Sequence, residues 1–256
     1  MLLAIDIGNT NITLGVFKET NLEATWRLAT DSNRLTDEYG IFMNNLLPMK
    51  GISPSQITKA CICCVVPPLL PVFEELCITY FNINPLIVGS GTKTGIRILY
   101  DNAHDVGADR IVDAAAALKI YGGPAIVVDF GTGTVFDAIE KNGDYLGGAI
   151  APGINISAEA LVSKSSILRG IELIAPPKAI GKNTIHAMQS GLILGCASMV
   201  EGMVSRFMKE LGDEVKVVAT GGLASKMNEV TDIFDFVNPN LTLVGLQHIY
   251  DLNAKT

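Results

Sequence analysis

Two stretches of the chain place an aspartate, one intervening residue and a glycine at the end of an apolar run: Asp6-Ile7-Gly8-Asn9-Thr10-Asn11 and Asp129-Phe130-Gly131-Thr132-Gly133-Thr134. Turns of this composition present consecutive backbone N–H groups, and their small or hydroxylic side chains let a phosphate approach closely. The aspartates would not bind phosphate themselves but would hold the cations that neutralise it, as phosphoryl transfer requires. Either turn alone reads as an ordinary hairpin, because Asp, Gly, Asn and Thr are common turn residues. A shift of 123 positions, however, lays Ala125 to Ile139 over Leu2 to Val16 and matches Asp129 to Asp6 and Gly131 to Gly8. Repetition in register is more specific than a lone glycine-rich loop. A weaker third signal is Val217 to Ala224, whose Gly221-Gly222 pair offers bare backbone on which a nucleotide base or ribose could lie.

Asp105, Asp109 and Asp113 recur at a spacing of four, which predicts one face of a helix starting near Asp105. Like charges so placed repel unless a cation or a proton relieves them. A helix dipole accounts for Asp105 well and for Asp113 poorly. Arg110 beside them suits a carboxylate or phosphate partner, or a plain surface ion pair. His104, His186 and His248 are isolated from one another and read as structural or surface residues. The five cysteines include Cys61, Cys63 and Cys64 in a β-like apolar run without a nearby His, which favours buried reduced thiols over a zinc site.

These residues need elements to hold them. Met1 to Phe17 reads as a hairpin with a carboxylate at its mouth, Ala24 to Thr30 as a third strand, and Thr36 onward as a helix in which Tyr39, Phe42, Met43, Leu46 and Leu47 recur at helical spacing. A strand at Lys59 to Val66, a helix at Pro68 to Phe81 and a strand at Pro85 to Val88 complete a β-β-β-α-β-α-β order. The second half repeats the hairpin, then gives a strand at Tyr145 to Ile150, helices at Ile154 to Leu161 and Thr184 to Leu211, a strand at Val215 to Ala219, a short helix and a strand at Ile233 to Val237. The fold class expected is α/β, two similar lobes over residues 1–118 and 119–256 with a cleft between them.

The 256 residues are 48% hydrophobic and 18% charged, with a formal net charge of −7. That composition excludes a disordered chain, and with no Lys/Arg cluster it argues against a nucleic-acid partner. Mean hydropathy is high at +0.36. The greasiest stretch, Ala60 to Phe73, is nevertheless too short to span a membrane and is broken by Pro67, Pro68 and Pro71. Asp6 falls where the apolar core of a signal peptide would continue, so a cytoplasmic protein with no membrane partner is expected.

The two aspartate turns and the glycine pair, in this order, resemble the acetate and sugar kinase, heat-shock ATPase and actin superfamily, which implies duplicated ribonuclease-H-like lobes around ATP. No Walker-type phosphate loop occurs. The stretches Asp6 to Asn11, Tyr100-Asp-Asn, Gly107-Ala108-Asp109-Arg110 with Ile111 to Ala114, Asp129 to Thr132, Gly148 to Gly153 and Asn183-Thr184 narrow the likeness to type III pantothenate kinases. That resemblance implies ATP-dependent phosphorylation of the terminal hydroxyl of pantothenate, opening coenzyme A synthesis, by a homodimer. It implies ATP contacts at Asp6, Ile7, Gly8, Asn9, Thr10, Asn11, Ile12, Thr13 and Thr132. Pantothenate contacts are implied at Tyr100, Gly107, Ala108, Asp109, Arg110 and Thr184, with Asp109 as general base. Mg²⁺ would ride on the phosphates near Asp6, and K⁺ or NH₄⁺ would sit at Asp129. The long apolar helix from Thr184 supplies a plausible dimer face. One departure is Val135, where the family usually has a hydroxyl, leaving Thr132 and Thr134. A non-catalytic regulatory relative, or a kinase for another small molecule, are the rival readings.

Overall fold

The computed structural model describes residues 1–212 and 214–254. In chain order the elements begin with β1 (Leu2–Ile7), β2 (Asn11–Lys18), β3 (Asn21–Ala29), α1 (Thr36–Met49), β4 (Lys59–Cys64), α2 (Leu70–Phe81), β5 (Leu86–Ile87), β6 (Arg97–Ile98) and α3 (Ala108–Tyr121). They continue with β7 (Ala125–Phe130), β8 (Gly133–Ile139), β9 (Asp144–Pro152), α4 (Ile154–Ser163), α5 (Thr184–Gln189), α6 (Gly195–Leu211), β10 (Lys216–Thr220), α7 (Ala224–Met227), β11 (Phe236–Val237) and α8 (Leu241–Ala254). The chain divides into two compact units, one holding Met1–Ile96, Asp101–Ala116 and the stretch from Thr242 onward, the other Arg97–Tyr100 and Ala117–Leu241. The last helix therefore groups with the first sheet.

The first sheet has the order β3-β2-β1-β4-β5, with β1 antiparallel to β2 and parallel to β4. Successive strand residues face opposite sides. Leu3, Ile5 and Ile7 thus pack against Tyr39, Met43 and Leu47 of α1 and Phe73 and Leu76 of α2. Leu2 and Ala4 face the other way and pack with Cys61 and Cys63 of β4, Val112 and Ala115 of α3, and Leu243, Leu246 and Ile249 of α8. A strand covered on both sides must be apolar throughout, which is why β1 reads as an unbroken greasy run until Asp6. Each fully buried Leu or Ile contributes roughly 1.5–3 kcal/mol. Helices α3 and α8 approach closely where Gly245 lies on the Val112 carbonyl; a Cβ there would overlap it.

The second sheet has the order β11-β10-β7-β8-β9-β6. Without β6 it repeats the plan of the first: a central strand antiparallel to its hairpin partner and parallel to the strand across the crossover. The β2–β3 and β8–β9 pairings both carry a register shift near the end of the earlier strand, at Val16/Phe17 and at Ala138/Ile139. Ile126, Val128 and Phe130 pack against Ile154 of α4 and Ala197, Val200 and Val204 of α6.

The structure corrects several expectations. Asp105 is not on the helix with Asp109: it closes a 3₁₀ turn, Ala103–Asp105, Val106 is extended, and α3 starts only at Ala108. The helix expected over Thr184 to Leu211 is interrupted by a π-helical turn, Ser190–Leu194. By length and composition that 28-residue stretch could span a membrane, yet Leu192, Ile193, Ala197, Val200 and Val204 are core residues, with Met199, Met203 and Phe207 packed against them. Part of its apolar surface is thus used inside the unit, while Ile185 in its first turn stays exposed. The short β6 and the terminal α8 were not expected at all.

Candidate active site

In the first unit the turn after β1 is tight: the Gly8 N–H donates to the Asn11 carbonyl at 3.0 Å. Asn9, Thr10 and Asn11 are exposed, whereas the side chains of Ile7 and Ile12 are core residues, so only their backbones face the turn. Asp6 has the parity of Leu2 and Ala4 and pairs with Cys63 of β4, on the face covered by α3. There α3 presents Asp109 in its first turn and Asp113 one turn on, Asp113 and Arg110 being buried. Asp109 Oδ1 accepts the Arg110 backbone N–H at 2.8 Å and leans over Gly107, where a Cβ would overlap it. Burial first, then the charges of Asp6, Asp109 and Asp113, push the Cys63 thiol well above its usual range. One buried thiol thus reports that strand end and helix start bring these carboxylates together. Asp105 stays outside, exposed and hydrogen-bonded by Asn102 Nδ2 at 2.9 Å.

In the second unit the Gly131 N–H donates to the Gly133 carbonyl at 3.0 Å, and the Gly153 N–H at the start of α4 donates to the Thr132 carbonyl at 3.2 Å. Gly153 packs so closely that a Cβ would overlap the Thr132 carbonyl. Asp129 is boxed by glycines: a Cβ on Gly131 would lie 3.3 Å from its Oδ2, and one on Gly221, at φ +88°, would overlap its Oδ1. Gly221 is thus required by the carboxylate and the Phe130 backbone behind it, a closer reason than a nucleotide base. Thr132 is exposed, but Thr134 is fully buried, so only Thr132 offers a hydroxyl at the surface of this turn. The Tyr100 ring lies 6.4 Å from the Tyr145 ring and covers Gly147, which at φ +120° leaves it room. Thr184 is exposed at the start of α5, where Asn183 Oδ1 accepts the His186 N–H at 2.8 Å. The His186 ring lies 3.3 Å from Asn183 Nδ2 and the His104 ring 3.4 Å from Ser90 Oγ, each a local contact.

The cysteines are free thiols. Burial raises all of them, Cys61 and Cys77 to about 12. Among the described residues no three His, Cys, Asp or Glu side chains form a metal cage.

The profile describing type III pantothenate kinases matches residues 2–206. A protein from Roseiflexus sp. (strain RS-1) named type III pantothenate kinase is 52% identical over 255 residues, covering 100% of both chains. One of the same name from Dehalococcoides mccartyi (strain CBDB1) is 50% identical over 252 residues, covering 98% of this chain and 96% of its own. This chain belongs to the type III pantothenate kinase family. Among solved structures, one described as a Baf family transcriptional activator from Campylobacter jejuni superposes with a TM-score of 0.65 at 21% identity, covering 99% and 100% of the two chains. An inorganic polyphosphate/ATP-glucomannokinase from Arthrobacter superposes at 0.51 and 13% identity over 98% of each. These likenesses show the fold: duplicated ribonuclease-H-like lobes.

Within this family fold the electrostatics of Asp109 are informative. Burial raises its pKa, while the Arg110 N–H and guanidinium pull it down; burial wins. A carboxyl raised by burial binds its proton more readily folded than unfolded. The stability tied to that proton is fully present below the unfolded value, about 4, and is lost as pH rises through the higher folded value. Asp109→Asn never ionises, so its melting temperature relative to wild type should rise between pH 4 and pH 7. Paired thermal melts at the two pH values check this; a difference that shrinks toward neutral pH would contradict the burial argument.

Proposed function

We propose that this chain transfers the γ-phosphoryl group of ATP to the terminal hydroxyl of pantothenate, the opening step of coenzyme A synthesis, in the cytoplasm. The observation that carries the reading is the gathering of Asp6 and Asp109 in the first unit, in a chain whose family is defined by that chemistry. The Asp6 to Thr13 turn and Thr132 are assigned to ATP. Tyr100, Gly107, Ala108, Arg110 and Thr184 are assigned to pantothenate. Asp109 accepts the hydroxyl proton as that oxygen bonds to the γ-phosphorus and ADP leaves; a carboxylate whose pKa burial raises is a stronger base for the task. Arg110, planar and permanently charged, is suited to a carboxylate or phosphoryl oxygen.

The residues fit cations held mainly by the triphosphate: they offer hard carboxylate oxygens, and among the described residues no group of three forms a protein cage. Asp6 would hold Mg²⁺ near the phosphates, and Asp129, fixed between Gly131 and Gly221, would hold K⁺ or NH₄⁺. Such cations supply charge neutralisation around the phosphates. A homodimer is proposed on a different face from the long helix. Beyond Tyr145, no strand among the described residues pairs with β9 on its outer side, and it exposes Ile150 at 68%, with Ile156 and Leu161 of α4 also exposed. Apolar edge strands are ordinarily covered.

A coupled assay should show ATP consumption that depends on pantothenate. Consumption with a sugar or acetate instead, or none, would sink the reading. Asp109→Asn should lower turnover by about 10²–10⁴-fold with ATP binding retained, and near-normal turnover would remove Asp109 from the role of base. Replacing K⁺ by Na⁺ at constant ionic strength and saturating Mg²⁺ should lower activity sharply, chiefly by weakening ATP binding, and Asp129→Ala should abolish the difference. Equal rates in the two salts would leave Asp129 without a monovalent ion. Light scattering should give twice the chain mass, and Ile150→Glu should shift it to one chain; an active wild-type monomer at assay concentration excludes the dimer.

A further inference from the structure

The turn at Gly8 to Asn11 closes on itself through a single backbone hydrogen bond across its mouth, Gly8 N–H to the Asn11 carbonyl. The carbonyls of Gly8 and Thr10 both point to one residue outside the turn. Thr30, just past the end of β3 and half-buried, donates its hydroxyl to the Gly8 carbonyl at 2.6 Å and its backbone N–H to the Thr10 carbonyl at 3.0 Å. Both bonds draw these carbonyls toward the end of β3 and so fix the course of the backbone through the turn.

The residue that makes this clamp is itself held. The Asp31 carbonyl accepts the Tyr39 hydroxyl at 3.1 Å, and Tyr39, fully buried, has its ring 4.7 Å from that of Phe73. Asp31 also accepts the Asn33 N–H at 3.0 Å, which fixes the chain as it leaves β3 for α1. A rigid core residue is therefore connected through Asp31 and Thr30 to a turn whose own side chains, Asn9 and Thr10, are exposed.

We infer that Thr30 is a positioning residue for nucleotide binding: by tying down the Gly8 and Thr10 carbonyls it sets the turn in the shape that receives the ATP phosphates. The inference rests on the assignment of that turn to ATP. Thr30 touches neither substrate nor reacting atoms, so its loss should act on nucleotide affinity rather than on chemistry or on pantothenate.

Thr30→Val keeps the branched shape and the backbone bond and removes only the hydroxyl. It should raise KM for ATP and weaken calorimetric binding of a non-hydrolysable ATP analogue by about two- to tenfold, the worth of one hydrogen bond. The kcat and the KM for pantothenate should stay within about twofold, and Thr30→Ser, which restores the hydroxyl, should recover the ATP affinity. Should the Val variant fail to fold by circular dichroism, Thr30→Ala against Thr30→Ser carries the same comparison. Unchanged analogue affinity in the hydroxyl-less variant, or equal losses for both substrates, overturns the role. If the wild-type protein binds no ATP analogue at all, the assignment of the turn fails first and takes the role of Thr30 with it. The two failures are separated by the wild-type titration.

Discussion

β1 is covered on both faces, and the alternation of its side chains decides where the chemistry of the first unit can be. Leu3, Ile5 and Ile7 are committed to α1 and α2, so Leu2, Ala4 and Asp6 leave on the side of α3 and α8. A slip of one residue would turn Asp6 toward the Tyr39 and Phe73 core and put isoleucine where the carboxylate stands. Cys63 follows from the same constraint, because its register with Asp6 places it on the same face. The position of α3 over that face then determines that Asp109 and Asp113, and not Asp105, join Asp6. Arg110, buried in the same helix turn, is the cation that these motifs supply.

Gathering carboxylates under an apolar sheet face costs stability, and the structure shows where the cost appears. Burial lifts Asp109 despite its place in the first turn of a helix, where the dipole favours a negative charge. Burial first, and then the same carboxylates, raise the Cys63 thiol on that face. A smaller or polar side chain in its place would admit water or another dipole beneath the carboxylates. The sulfur is thus part of the electrostatic setting of the site and not a nucleophile, in keeping with thiols raised throughout the chain.

The hairpins, the crossover order and the repeat at 123 positions were legible because each is written in local pattern: apolar alternation, Gly and Asp at strand ends, helical spacing in α1 and α2. The misplacement of Asp105 has a local cause as well. A spacing of four mimics a helix face, but Gly107 and the extended Val106 put a break between Asp105 and Asp109 that periodicity does not detect. Helix α8 was missed because Leu241, Leu243, Leu246 and Ile249 are divided by Gly245, a residue that reads as a breaker until it is seen to be what lets α8 rest on Val112. Strand β6 has two residues, too few for any pattern, yet it starts the chain toward Tyr100. Thr30 was invisible for another reason: its partners lie 20 and 22 positions away in sequence, and nothing in its own neighbourhood distinguishes it from any threonine ending a strand.

The duplication is faithful in topology and unequal in chemistry. Asp6 and Asp129 end equivalent central strands, but their neighbours across the parallel pair differ: Cys63 beside Asp6, Thr220 beside Asp129. In the first unit the space in front of the carboxylate is filled by a helix that brings further carboxylates. In the second it is filled by Gly221, whose missing Cβ lets the Phe130 backbone and the Asp129 carboxylate sit directly against it. A side chain boxed by backbone on two sides has little rotamer freedom left to lose. The same strand end thus yields a carboxylate fixed between glycines in one unit and a carboxylate grouped with others from a helix in the other, because what covers the strand end differs while the strand order does not.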